Sequence, residues 1–310
     1  MMTKNRTCAA FALLATLLLS MSAQALLFRA YVASDGNDAN PCTLPQPCRL
    51  LPAALAAVAD GGEIWMLDSA NYNGGTVVVA KSVSIVAVPG AIGSVVATGG
   101  SAISIAAAGL TVSLRNVVIV PLSGAGGNGV TMSGASILAV EDSVFANLTG
   151  AGVEAAAGRV RVSNSTFRNN HYAVLATANA RADVASSKFT HNYVSVYSHA
   201  ELATSSSISV SDSAFSMDDF SIVAESVGGA TTNVNMTRCT VTYASTAGIW
   251  VFANASSNAY VTFGSSMFAR NAAGYAKQFA GGTENIYTYQ NNQFIENGTS
   301  FGTLTNMNTI

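Results

Sequence analysis

Five side chains in this 310-residue chain pair acid–base or ring-stacking chemistry with a regular spacing: Tyr197, His199, Glu225, Trp250 and Phe252. They alternate with Val196, Ser198, Ile222, Ala224, Ile249 and Val251. In extended strands such alternation sends one set inward and the other outward. If the three segments are neighbouring strands, outward residues at equal positions lie about 4.8 Å apart. His199 then stands beside Glu225, with Phe252 one turn further, while Tyr197 and Trp250 flank Val223. Aromatic faces stack on sugar rings, and a His–Glu pair bonds hydroxyls or moves a proton. Lysine and arginine are absent from the set, so a neutral or weakly charged glycan fits better than a uronate, and elimination chemistry fits worse. The plainer alternative is a half-exposed sheet that favours aromatic residues with no ligand at all.

Other polar residues offer less. Asp218 and Asp219 form a second acid–base candidate, placed by the sequence in an inserted loop; two carboxylates alone are too few to hold calcium. No metal or cofactor is expected. His171 and His191, beside Asn170 and Asn192, read as turn residues. Arg161 and Asp183 share an outward column in adjacent turns, as Arg159 and Arg181 share its neighbour. The first pair reads as a surface salt bridge worth at most about 1 kcal/mol. The glycine-rich segment 124–129 matches neither a phosphate-binding nor a dinucleotide-binding motif and reads as a solenoid turn.

These positions depend on a repeat. Val112, Leu138, Val160, Ala182, Ile208, Val234, Val261 and Tyr287 fall in one column at steps of 22 to 27 residues. Two residues on, the column stays apolar, from Leu114 to Tyr289. A third column holds Ile119, Phe145, Phe167, Phe189, Phe215, Val241, Phe268 and Phe294. Between them lie small or turn-forming pairs such as Asn116-Val117, Asp142-Ser143 and Asn164-Ser165, which mark a corner between two short strands. A further strand carries the inward pairs from Val130 and Met132 to Ile249 and Val251, continued by Tyr275 and Phe301. Three short strands per turn of 22–27 residues cannot each bury a face alone and must stack, which predicts an all-β parallel β-helix. Leucine-rich repeats share the period, but no copy has the Leu-x-x-Leu-x-Leu run and no intervening segment has a helical period; a sandwich or barrel is the remaining alternative.

Residues 1–25 read as a signal peptide: Lys4 and Arg6, an apolar run, then Ala23-Gln24-Ala25. The expected product is exported, without a lipid anchor or a membrane-inserted segment after cleavage. Without Lys4 and Arg6 the chain keeps 12 basic against 16 acidic side chains, a charge of −4 that argues against nucleic acid. In an exported protein Cys42 and Cys48 read as a disulfide closing a short proline-bearing loop, and Cys239 as a small buried residue. Residues 50–59 predict a short amphipathic helix through Leu51, Leu55 and Val58, stopped at Asp60-Gly61-Gly62 and capping the first turn. A single domain follows the signal, with 26–62 as cap and 63–310 as turns. The C-terminal end has no comparable cap, which leaves association through that end open.

The segments Tyr31-Val-Ala-Ser-Asp-Gly-Asn-Asp38, Pro41-Cys42, Pro47-Cys48-Arg49, Asn71-Tyr-Asn-Gly74 and Lys81-Ser-Val-Ser-Ile85 resemble the start of secreted right-handed parallel β-helix proteins of the pectin-lyase-like superfamily. With the repeats, the resemblance covers nearly all of the chain after the signal. It implies the fold. Enzymes of that superfamily cleave polysaccharides, yet of the four polygalacturonase-type motifs only an Asp-Asp pair, Asp218-Asp219, is present, and no lyase-type acidic cluster stands near Arg or Lys in register. Fold alone does not set function. The expectation is therefore a secreted protein that binds glycan or another surface through Tyr197, His199, Glu225, Trp250 and Phe252 without catalysis. The alternative is a polysaccharide-cleaving enzyme, a lyase or a glycoside hydrolase, with Glu225, His199, Asp218 or Asp219 as acid and base.

Overall fold

A computed structural model describes residues 26–122 and 126–307; the expected signal peptide and part of the glycine-rich segment lie outside the described residues. The chain winds as a parallel β-helix with three strands per turn. One turn runs from Arg159–Ser163 through Thr166–Arg168 and Tyr172–Ala176 to Arg181–Ala185, which lies directly above its start. Repetition builds sheets of twelve, ten and nine strands. Each strand pairs in parallel with its counterpart one turn away, and through most of the chain in the register that the columns require.

The apolar columns are the core. Val112, Leu138, Val160, Ile208, Leu114, Val140 and Val162 are buried, as are the inward residues of the nine-stranded sheet. Phe145, Phe167, Phe189 and Phe215 stack with centroids 4.8, 5.2 and 4.6 Å apart. At the first corner Asn116, Asp142, Asn164, Ser186, Asp212 and Arg238 all take φ near +50°, a conformation in which Asn and Asp cost least. Four of these are followed by a buried serine, Ser143, Ser165, Ser187 and Ser213, which satisfies the chain one turn back: Ser165 Oγ accepts from Ser143 N at 3.2 Å and donates to Ser163 O at 2.8 Å. A second αL corner, at Asn147, Asn169, His191, Met217, Tyr243, Arg270 and Glu296, precedes the nine-stranded sheet.

Several sequence expectations need correction. The helix spans Leu51–Ala57 and ends before the glycines, because Val58 already enters the strand Val58–Met66 and pairs with Leu27. In the last full turn Ile286 and Thr288, not Tyr287 and Tyr289, face inward; Val261 pairs with Ile286. One extra residue before Asn292 absorbs the difference. Phe301 pairs with Ala276 instead of Tyr275 and is exposed. Arg161 and Asp183 are register neighbours, but they form no ion pair. The four residues that lengthen the turn of Val194–Ala200 and Ser205–Ser211 extend these two strands by two each, not the bend between them or the segment around Asp218.

Cys42 and Cys48 form a disulfide with Cα atoms 4.6 Å apart, and Cys239 is buried, its thiol pushed up to about 11 by burial. Among the described residues no helix is long and apolar enough to cross a membrane, and no three His, Cys, Asp or Glu side chains converge on a metal-sized site. At the C-terminal end Phe279, Phe294 and Phe301 are exposed.

Candidate functional site

The five residues singled out by their spacing do share one face. Tyr197 pairs with Val223 and Val223 with Trp250; His199 pairs with Glu225 and Glu225 with Phe252. The strands Val194–Ala200, Phe220–Ser226 and Ala247–Asn254 hold them rigidly, since their alternate residues are locked in the core. Val223 between Tyr197 and Trp250 is only 3 % exposed, so the flanking rings wall a cleft with an aliphatic floor.

Hydrogen bonds order the polar half. The Tyr197 hydroxyl donates to Glu225 Oε2 at 2.5 Å and lies 3.1 Å from His199 Nδ1. Burial first, then the bond to Glu225, raises the Tyr197 hydroxyl far above the ordinary phenol range, so it stays protonated. His199 Nε2 reaches Glu201 Oε1 at 2.8 Å. Glu201, which the sequence search missed because it sits in the bend beyond the strand, thus places a second carboxylate no more than about 9 Å from Glu225 across one imidazole.

The aromatic half is larger than spacing suggested. A cavity of about 210 Å³ is lined by Tyr172, Tyr193, Val194, Tyr197, Phe220, Val223, Glu225 and Trp250. Tyr172 meets Tyr197 at 5.3 Å, Tyr193 meets Phe220 at 5.9 Å, Phe220 meets Trp250 at 6.0 Å, and Trp250 stacks on Phe252 at 5.7 Å. Tyr172 and Phe220 escaped the periodic search because alternation breaks at the strand start: Ser221 and Ile222 are both buried, so counting back from Ile222 gives Phe220 the wrong face. A longer groove of about 420 Å³ on the twelve-stranded sheet runs past Arg161, Asp183, Ser209 and Asn235, and Tyr289 is its one ring.

Asp218 and Asp219 belong to no inserted loop. They form the tight second corner between Ala214–Ser216 and Phe220–Ser226. Asp218 points inward and is fully buried, whereas Asp219 accepts from Ser245 Oγ at 2.5 Å. They do not converge as a catalytic pair.

A family model described as "Right handed beta helix region" matches residues 101–268, more than half of the sequence. The chain belongs to this right-handed β-helix family. The solved structure of pectate lyase Pel9A superposes with a TM-score of 0.61 at 14% identity, over 92% of this chain and 80% of that one. A GH136 lacto-N-biosidase from Eubacterium ramulus gives 0.48 at 10% identity over 90% and 67%, and a rhamnogalacturonan lyase 0.46 at 10% over 84% and 72%. No curated protein matches the sequence. At these identities the Pel9A superposition speaks for the right-handed β-helix fold and not for activity. The disulfide and this fold fit an extracellular protein.

Proposed function

We propose that this β-helix is an exported glycan-binding protein whose ligand seats in the aromatic cleft of the nine-stranded sheet. The observation that carries the proposal is the lining of that cleft: five aromatic rings and one carboxylate, with no lysine or arginine. Rings present flat apolar faces to sugar C–H surfaces, and the Tyr197–Glu225–His199 group offers acceptors and donors for hydroxyls. A neutral glycan is favoured, because a uronate would meet Glu225 without a counter-charge.

Affinity electrophoresis against xyloglucan, galactomannan and polygalacturonate tests this. A neutral polymer should retard the protein, and Trp250→Ala should weaken binding by roughly 5- to 150-fold, taking one stacked ring at the roughly 1–3 kcal/mol seen for rings stacked on nucleic-acid bases. Retention by polygalacturonate alone, or equal retention of the Trp250→Ala protein, removes the cleft as the site.

A second reading is favoured by Glu201. Two carboxylates flanking His199 lie within the span used by glycosidases, so hydrolysis is the alternative activity at the same cleft. Reducing-sugar release from the same polymers, falling at least a hundredfold in Glu225→Gln, would establish it. Binding with no release leaves the first reading standing.

A further inference from the structure

The corner that leads into the nine-stranded sheet carries an amide ladder in which one rung is an acid. Asn170, Asn192, Asn271 and Asn297 accept a backbone N–H from the corner one turn back, from Leu148, Asn170, Ala244 and Asn271, at 2.8–3.1 Å. Their Nδ2 groups donate to the carbonyls of Phe145, Phe167, Val241 and Phe268. Asp218 is the fifth rung. Its Oδ1 accepts from Asn192 N at 2.9 Å and from Asn192 Nδ2 at 3.2 Å. Its Oδ2, which replaces the amide nitrogen, is buried without a partner.

The ladder shows what Oδ2 lacks. By register, the carbonyl of Phe189 stands to Asp218 as that of Phe167 stands to Asn192. A carboxylate offers that carbonyl no proton, whereas a carboxylic acid offers one. One is enough, because the next rung is Ala244, which has no side-chain acceptor. The groups set against the carboxyl are Asn192 and Ser195 from the turn below and Ser221 from its own strand; none is charged, and as hydrogen-bond donors they favour the carboxylate, but burial outweighs them. Ser221 Oγ is likewise buried and unpartnered. The titratable neighbours His171, His191 and Asp219 lie on the outward side of the same corner, along a surface groove that meets the cleft at Tyr193.

We propose that Asp218 is held as a neutral acid that completes the ladder, and that its ionisation loosens this corner and the cleft wall attached to it, making ligand binding stronger at acidic than at alkaline pH. The wall is Tyr193, which follows Asn192, and Phe220, two residues beyond Asp218. The coupling to binding rests on the glycan reading of the cleft; the state of Asp218 does not. Burial pushes the carboxyl up to about 7 from 3.8. The folded chain therefore holds this proton more tightly than the unfolded chain. The associated stability is complete below about pH 4 and is lost as pH rises through about 7.

Thermal unfolding of the wild type, Asp218→Asn and Asp219→Asn between pH 4.5 and 8.5, with xyloglucan and galactomannan binding at both ends, tests the proposal. Asp218→Asn should melt above the wild type by on the order of 5–10 °C at pH 8.5 and with it at pH 4.5. Asp219→Asn should keep the wild-type profile. Wild-type binding should weaken several-fold at pH 8.5, and binding by Asp218→Asn should not. Identical melting profiles for wild type and Asp218→Asn overturn the neutral rung. A stability difference with pH-independent binding overturns the coupling, and a stability difference with no polysaccharide bound at any pH leaves the rung standing and removes the glycan reading.

Discussion

Phe189→Ala should lower the unfolding free energy by about 3–5 kcal/mol, read from the urea midpoint at constant slope. Phe189 is 1 % exposed and lies between Phe167 and Phe215, its ring within 8° of parallel to both. Truncation removes the buried ring and its stacking contacts with both neighbours at once. The void cannot close, because Lys188–Thr190 is fixed by ladders to the strands on either side and cannot sink inward. Phe189→Val should cost clearly less, since Val241 already fills this column two turns on. A loss below about 1 kcal/mol in the alanine variant would mean that the rings are spectators and that the backbone ladders carry the core.

What the sequence displayed, and what it hid, follows from how a β-helix repeats. Columns such as Val112 to Val261, or Phe145 to Phe215, are legible because like residues stack at a constant period and each is buried for the same reason. Where two adjacent residues are both apolar, period alone does not choose between them. Tyr287 kept the 26-residue step, yet Ile286 is the buried one. Val58 has helical spacing from Leu51 and is buried, but as the first residue of a strand. The second αL corner left little trace in composition, since it runs through Asn, His, Met, Tyr, Arg and Glu. The candidate face was legible at Tyr197, His199, Glu225, Trp250 and Phe252 because strict alternation holds there. It was not legible at Tyr172 and Phe220, where alternation slips, or at Glu201, outside the strand. Asp218 stood out as an acid, but its role appears only when five corners are superposed and one lacks its amide.

Asn192→Ala should cost about 3 kcal/mol or more, a large effect for deleting one small polar side chain. Asn192 is 2 % exposed, and its amide group joins three turns. It accepts from Asn170 N and Nδ2 at 3.0 and 3.1 Å, and its Nδ2, with two protons to give, stands 3.1 Å from Phe167 O, 3.1 Å from Ser195 Oγ and 3.2 Å from Asp218 Oδ1. Alanine leaves the Asn170 N–H buried without its acceptor and takes from the Phe167 carbonyl its side-chain donor, and an orphaned buried N–H costs more than the bond gains when made. The same variant separates support of the cleft from contact with the ligand. Asn192 does not line the cavity, yet it precedes Tyr193, which does; glycan affinity should fall with stability in Asn192→Ala, whereas Trp250→Ala should lose affinity at an almost unchanged melting temperature. Wild-type stability in Asn192→Ala would make the ladder a by-product of corner geometry, and wild-type affinity in a destabilised Asn192→Ala protein would detach the ladder from the cleft.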